Sequence, residues 1–164
     1  MKTLYIVRHA KSSWGFPDLK DEDRPIIDKG IHNTNKIVKE LIRFDVSIDK
    51  MICSKARRTL ETAKIVARGI NFPIEKIESN ITLYKADVDD LTEIIKEVEE
   101  DIYQLMIIGH NPTLTQFANR FLDEKMEILH TSEVVSFEFE TKKWFDFEKS
   151  KCKTKFVLSP KFIV

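Results

Sequence analysis

Three short segments set basic and nucleophilic side chains directly behind apolar runs. Arg8-His9 follows Leu4-Tyr5-Ile6-Val7. Ser54 follows Met51-Ile52-Cys53, with Arg57 and Arg58 just beyond it. Gly109-His110 follows Leu105-Met106-Ile107-Ile108. Arginine is permanently cationic and presents a planar fork of donors that matches a phosphate. A helix starting just after such a residue adds free backbone N–H groups and a positive dipole end. The chemistry these types share is anion binding, and phosphate is the anion they fit best. An imidazole among cations has a lowered pKa, which leaves a ring nitrogen free to attack phosphorus. The reaction implied is phosphoryl transfer through a covalent phosphohistidine, resting on positioning and charge stabilisation. A histidine pair is also a zinc ligand set in principle, but the surrounding arginines repel a cation.

For these side chains to meet, the elements carrying them must be parallel neighbours. The pattern alternates strand and helix. "KTLYIVR" is a strand, and "GIHNTNKIVKELIRF" a helix with Ile31, Ile37, Val38, Leu41 and Ile42 on one face. "DKMICS" is a second strand. "SKARRTLETAKIVARGI" is a helix with Ser54 as N-cap and Gly69 as stop. "IEKIE" is a weak third strand, and "DDLTEIIKEVEE" a helix with Leu91, Ile94, Ile95 and Val98 in one stripe. "QLMIIG" is a strongly apolar strand. "NPTLTQFANRFL" opens a helix, with Asn111 as N-cap and Pro112 in the first position. "EVVSFEFE" and "KFVLSP" are strands joined by "KKWFDFEK". This alternation predicts an α/β domain with a mainly parallel sheet, whose ligands bind outside the carboxyl ends of the strands. All three basic segments fall at that edge. The polar stretch from Gly15 to Gly30 is a loop over the same edge, a pocket wall rather than a boundary. A single domain over 1–164 is expected.

Composition narrows the function classes. Lysine plus arginine balances aspartate plus glutamate at 27 each, so nothing suggests bulk affinity for nucleic acid or an anionic membrane. Cys53 and Cys152 match no metal or redox spacing, and two cysteines fit a reducing compartment. The leading apolar run is broken by Arg8 too early for a signal peptide, and no stretch has the length of a membrane helix. A soluble, cytoplasmic protein, monomeric or weakly dimeric, is expected.

With the residues in view, the chain resembles the histidine phosphatase superfamily, of phosphoglycerate mutase-like fold. "RHAKSSW" resembles its Arg-His-Gly signature. "SKARRTLET" matches its second element through Ser54, Arg58 and Thr62, and "IIGHNPTL" its third through His110. "DRPIIDKG", "LYKA", the Trp144 segment and "LSPK" further resemble the small SixA-type phosphohistidine phosphatases. The resemblance implies a three-layer α/β/α sandwich around a mixed six-stranded sheet, order 3-2-4-1-5-6 with strand 5 antiparallel. It implies His9 as nucleophile, with Arg8, Arg58 and His110 on the phosphoryl group. Arg24 would line the pocket entrance, and Ser12 and Asn111 complete the expected substrate-binding set. No metal or other cofactor is implied.

The departures bear on the substrate. Ala10 replaces the usual glycine, and Gly15 stands where mutase-type members carry an asparagine. After Leu83 those members carry a glutamate general acid; here the nearest equivalent is Lys85, with Asp87 two residues on as the candidate replacement. An alcohol leaving group benefits from a proton donor, whereas an imidazole carries its own proton near neutral pH. A site without the acid therefore favours phosphohistidine, in a peptide or a protein, over phosphate monoesters; the partner expected is a phosphohistidine-bearing protein or a small phosphorylated substrate. A small-molecule phosphomonoesterase of the same superfamily and a non-catalytic phosphate- or phosphoprotein-binding module are the alternatives. The second would not need a nucleophile. Arg57 and His32 read as surface residues, and His130 lies outside every motif. "EVEED" reads as a solvated face, and Phe137, Phe139, Trp144, Phe145 and Phe147 as packing.

Overall fold

The computed structural model describes residues 1–164. Six strands form one sheet: β1 (Lys2–Arg8), β2 (Lys50–Ser54), β3 (Glu78–Asn80), β4 (Gln104–Gly109), β5 (Val134–Phe139) and β6 (Cys152–Leu158). Their order is β3-β2-β4-β1-β5-β6, as the family resemblance implied. β1, β2, β3 and β4 pair in parallel, and β5 runs antiparallel to both β1 and β6.

The central strands read as continuous apolar runs because both of their faces are covered. Leu4, Ile6, Leu105 and Ile107 point to one face, packing with Leu91, Ile95, Phe117 and Trp144. Tyr5, Val7, Met106 and Ile108 alternate to the other, packing with Ile37, Leu41, Ala63 and Val66. The helices therefore sort in pairs. α1 (Asp28–Arg43) and α2 (Arg57–Gly69) cover the second face; α3 (Val88–Lys96) and α4 (Thr113–Asn119) cover the first. No helix is long and apolar enough to cross a membrane.

Several local expectations are corrected. α1 begins at Asp28, and its buried stripe is Gly30, Thr34, Ile37, Val38 and Leu41, whereas Ile31 and Ile42 are exposed. That register is set by Gly30: a Cβ there would lie 2.4 Å from the Lys11 carbonyl oxygen, so the helix start packs directly on the chain leaving β1. Gly69 does end α2, but not as a left-handed cap. Its missing Cβ makes room for Val38 of α1, which a side chain would meet at 2.1 Å, and the left-handed residue is Asn71 (φ 60°). After Pro73, residues Ile74–Lys76 form a 3-10 turn, so the third strand starts at Glu78, later than "IEKIE" suggested. Phe145 is 66% exposed, while Phe137, Phe139, Trp144 and Phe147 are buried.

Candidate active site

Strand register brings the two histidines together. Arg8 of β1 lies opposite Gly109 of β4, and the His9 N–H donates to the Gly109 carbonyl at 3.2 Å. The next residue on each strand is a histidine, and adjacent strands are about 4.8 Å apart. The His9 and His110 rings lie 5.3 Å apart, centroid to centroid, tilted by 52°. Arg58 reaches them from the first turn of α2: its Nη2 is 3.5 Å from His110 Nδ1. Arg8 leaves the sheet beside them, its Nη1 donating to the Leu129 carbonyl at 3.0 Å. The Nε atoms of both Arg8 and Arg58 are buried without a partner. Two guanidinium groups close enough to act on both rings make this sheet edge locally cationic, a surrounding that suits an anion.

The histidines are held in defined states. His9 Nδ1 is 2.8 Å from the Ala10 carbonyl, which only accepts, so Nδ1 carries the proton and Nε2 is the free lone pair. Burial pushes the His9 pKa down to about 3. The Ala10 bond opposes that shift, and His110, Arg58 and Arg8 add to it. Burial and then Arg58 push His110 down to about 4, against an upward pull from Asp21. His110 Nε2 lies 2.6 Å from Ser54 Oγ, which in turn meets Thr59 Oγ1 at 2.8 Å. Thr62 of α2 accepts the Ala10 N–H at 2.9 Å and fixes the turn after His9.

Other expected site residues have different duties. Ser54 does not cap α2. It ends β2, and its hydroxyl accepts the Ala56 N–H while orienting His110, two residues of turn separating it from the helix. Asn111 spends both ends of its side chain inside the fold: Nδ2 donates to the Leu129 carbonyl at 2.7 Å, and Oδ1 accepts from Thr115 N and Oγ1. It precedes Pro112 and α4, and the Leu114 and Thr115 N–H groups are bonded to His110 O and Asn111 Oδ1. The helix N-terminus expected to be free after His110 is therefore partly used by the fold itself. Ser12 accepts from Arg24 Nη1 at 2.7 Å. Arg24 is buried, its guanidinium 3.7 Å from the Trp14 ring centroid and its Nε 3.1 Å from Asp21. Arg57 is exposed and pairs with Glu61.

Two residues that the sequence had not singled out sit at the rim. Asp21 takes Arg58 by two contacts, its carbonyl receiving Nη1 at 2.8 Å and its carboxylate Nη2 at 3.1 Å. Tyr84 donates its hydroxyl to the same carboxylate, and its ring lies 5.6 Å from that of His110. The Tyr84 bond, with Arg58 and Arg24, holds the Asp21 pKa down at about 2. Asp87, the candidate replacement acid, is instead the N-cap of α3 in a reciprocal box with Asp90. The signal for Asp21 and Tyr84 was present only as their places inside "DEDRPIID" and "LYKA".

A sheet edge that gathers two histidines and two arginines, on this strand order, defines an α/β fold with a cationic histidine site at the carboxyl ends of its strands. The chain belongs to the histidine phosphatase superfamily (branch 1), whose family model matches residues 4–105, a span that includes His9, Ser54 and Arg58. Among relatives, an uncharacterized protein of Mycobacterium leprae is 34% identical over 116 residues, 68% of either chain. Among solved structures, SixA from Agrobacterium tumefaciens superposes with a TM-score of 0.82 at 21% identity, covering 97% of this chain and 98% of that one. The protein histidine phosphatase SixA complexed with tungstate gives 0.80 at 19% identity, covering 96% and 97%.

Proposed function

We propose that the chain is a SixA-type phosphohistidine phosphatase, one catalytic domain over residues 1–164, acting in the cytoplasm without a metal. The observation that carries this is His9: neutral, with Nδ1 committed to the Ala10 carbonyl and Nε2 free. It stands beside two guanidinium groups whose Nε atoms lack partners. His9 Nε2 attacks the phosphorus, the phosphorus–nitrogen bond of the substrate breaks, and the substrate's imidazole, protonated on its other nitrogen, departs with the electron pair as a neutral ring. Water then attacks phospho-His9, the bond to Nε2 breaks with its electron pair returning to the ring, and phosphate leaves. Arg8 and Arg58 hold the equatorial oxygens, where preorganised donors are worth most. A bound phosphate dianion pulls the His110 pKa up against burial and Arg58, so Nδ1 takes up a proton and donates to the phosphoryl group.

The rim supports the choice of substrate. Lys85 and Tyr84 stand where mutase-type members carry the acid, Asp87 is committed to capping, and Asp21 is held ionised. No carboxylic acid therefore stands ready at the rim to protonate an alkoxide, and an imidazole leaving group protonated on its other nitrogen needs none. The test compares kcat/KM for a phosphohistidine peptide with that for serine and sugar phosphates. The phosphohistidine peptide is expected to win by at least two orders of magnitude, the scale of general acid catalysis. Equal efficiency would make the enzyme a general phosphomonoesterase.

A further inference from the structure

Beside the candidate active site lies a second cavity of about 450 Å³, between α1, the turn at 130–133 and the segment at 159–161. Lys11, Lys29, Lys36 and Lys161 line it together with His130, and no hydrophobic residue does. None of these four lysines takes part in an ion pair, whereas Lys50, Lys55 and Lys96 elsewhere are paired with carboxylates. The one carboxylate in the wall, Glu133, is buried and accepts the His130 N–H. On a chain of zero net charge this is a local concentration of uncompensated positive charge.

The walls are pinned to the backbone that carries the nucleophile. The Ser132 N–H donates to the carbonyls of Arg8 and His9 at 3.1 and 3.3 Å, and the Ile27 N–H donates to that of Lys11 at 3.0 Å. Thr34 of α1 and Ser132 meet hydroxyl to hydroxyl at 2.8 Å. The cavity is thus a fixed feature whose inner end, Lys11, is two residues from His9. Its lysines are unpaired, Lys11, Lys29 and Lys161 exposed and Lys36 half-buried, which suits transient capture of carboxylates over permanent structure.

We propose that this groove docks an acidic, glutamate- or aspartate-rich segment of the phosphoprotein substrate, beside its phosphohistidine. The proposal rests on the phosphatase reading above and adds what selects the protein bearing the phosphate. Charge complementarity of this kind acts on encounter and KM, falls with salt, and leaves the chemical step alone.

The experiment uses two phosphohistidine peptides, one with a glutamate-rich flank and one with a neutral flank, together with phosphoramidate as a flankless substrate. Wild type is compared with Lys29→Glu/Lys36→Glu/Lys161→Glu. Wild type is expected to show about a tenfold lower KM for the acidic peptide, the scale of a few exposed ion pairs, and to lose that preference at high salt. The variant is expected to lose the preference while turning over phosphoramidate at the wild-type rate. Equal KM for the two peptides, with phosphoramidate turnover intact, overturns the docking site but not the phosphatase. Should wild type turn over none of the three, the phosphatase reading fails, and anisotropy of a labelled glutamate-rich peptide without phosphohistidine still decides the groove. Binding lost in the variant supports the groove; no binding, or tighter binding of a single-stranded oligonucleotide, overturns it.

Discussion

The two ends of β1 each carry a cation, Lys2 fully buried and Arg8 half-buried, and they are built in opposite ways. At the amino end Lys2 has no exposed surface. Its Nζ donates to the carbonyls of Glu100 and Ile102, the latter at 2.8 Å, and sits 4.3 Å from the centroid of the Tyr103 ring. At the carboxyl end Arg8, and beside it Arg58, leave a buried Nε without any acceptor. A buried cation that serves the fold has its hydrogen bonds closed by the fold. Arg8 and Arg58 are tied down only in part, by Leu129 and Asp21, and each keeps an open N–H at a cost in stability. Burial alone does not separate the two cases; the hydrogen bonds do.

The comparison predicts opposite outcomes at the two ends. Arg58→Ala should lower kcat by about 10²–10³, the scale of losing one preorganised charge-stabilising donor, with little change in Tm. Arg57→Ala, one residue away and exposed, should stay within about twofold. Steady-state kinetics and thermal melts on both variants check this, and similar losses from the two would dissolve the distinction. Lys2→Met keeps the volume of the side chain but leaves the Glu100 carbonyl without its donor, while Ile102 O retains Trp144 Nε1 at 2.7 Å. It should cost about 1–3 kcal/mol of stability and leave kcat/KM unchanged; denaturant titration alongside kinetics measures both.

A smaller effect sharpens the same contrast through pH. The pKa values of His9 and His110 are lowered from 6.5 to about 3 and about 4. Between those values and 6.5 the unfolded chain binds protons that the folded pair refuses. Stability is therefore full above about pH 6.5 and declines as pH falls through this window. Imidazole NMR signals of both rings should stay in the neutral form at pH 5 in the free enzyme, and saturating phosphate should move His110 upward. A titration of either ring near 6.5 in the free enzyme would contradict the burial argument.

Much of this was legible before the fold. β1 and β4 are buried on both faces, so their apolar runs are unambiguous, and the histidines that follow them are placed by register alone. The rest depended on contacts between distant segments. Ile31 and Ile42 read as core by type, but the packing of Gly30 on Lys11 rotates α1 and turns them outward. Asn111 and Ser54 look alike as caps, yet the cap position of α4 is Pro112, Asn111 beside it ties Thr115 to Leu129, and Ser54 orients His110. Asp21 belongs to a loop with no periodicity, and its duty appears only when Arg58 and Tyr84 arrive from two other elements. Asp87 was a plausible acid by proximity in sequence until the start of α3 claimed it.

The central claim is that His9 Nε2 becomes covalently phosphorylated during turnover. Rapid quenching under alkaline conditions, with a labelled phosphohistidine peptide as substrate, followed by peptide mapping, measures this directly. The account predicts an acid-labile, alkali-stable phosphoryl group on His9 within a single turnover, and neither label nor turnover in a folded His9→Ala variant. Full turnover by His9→Ala, or label on any other residue, would contradict it.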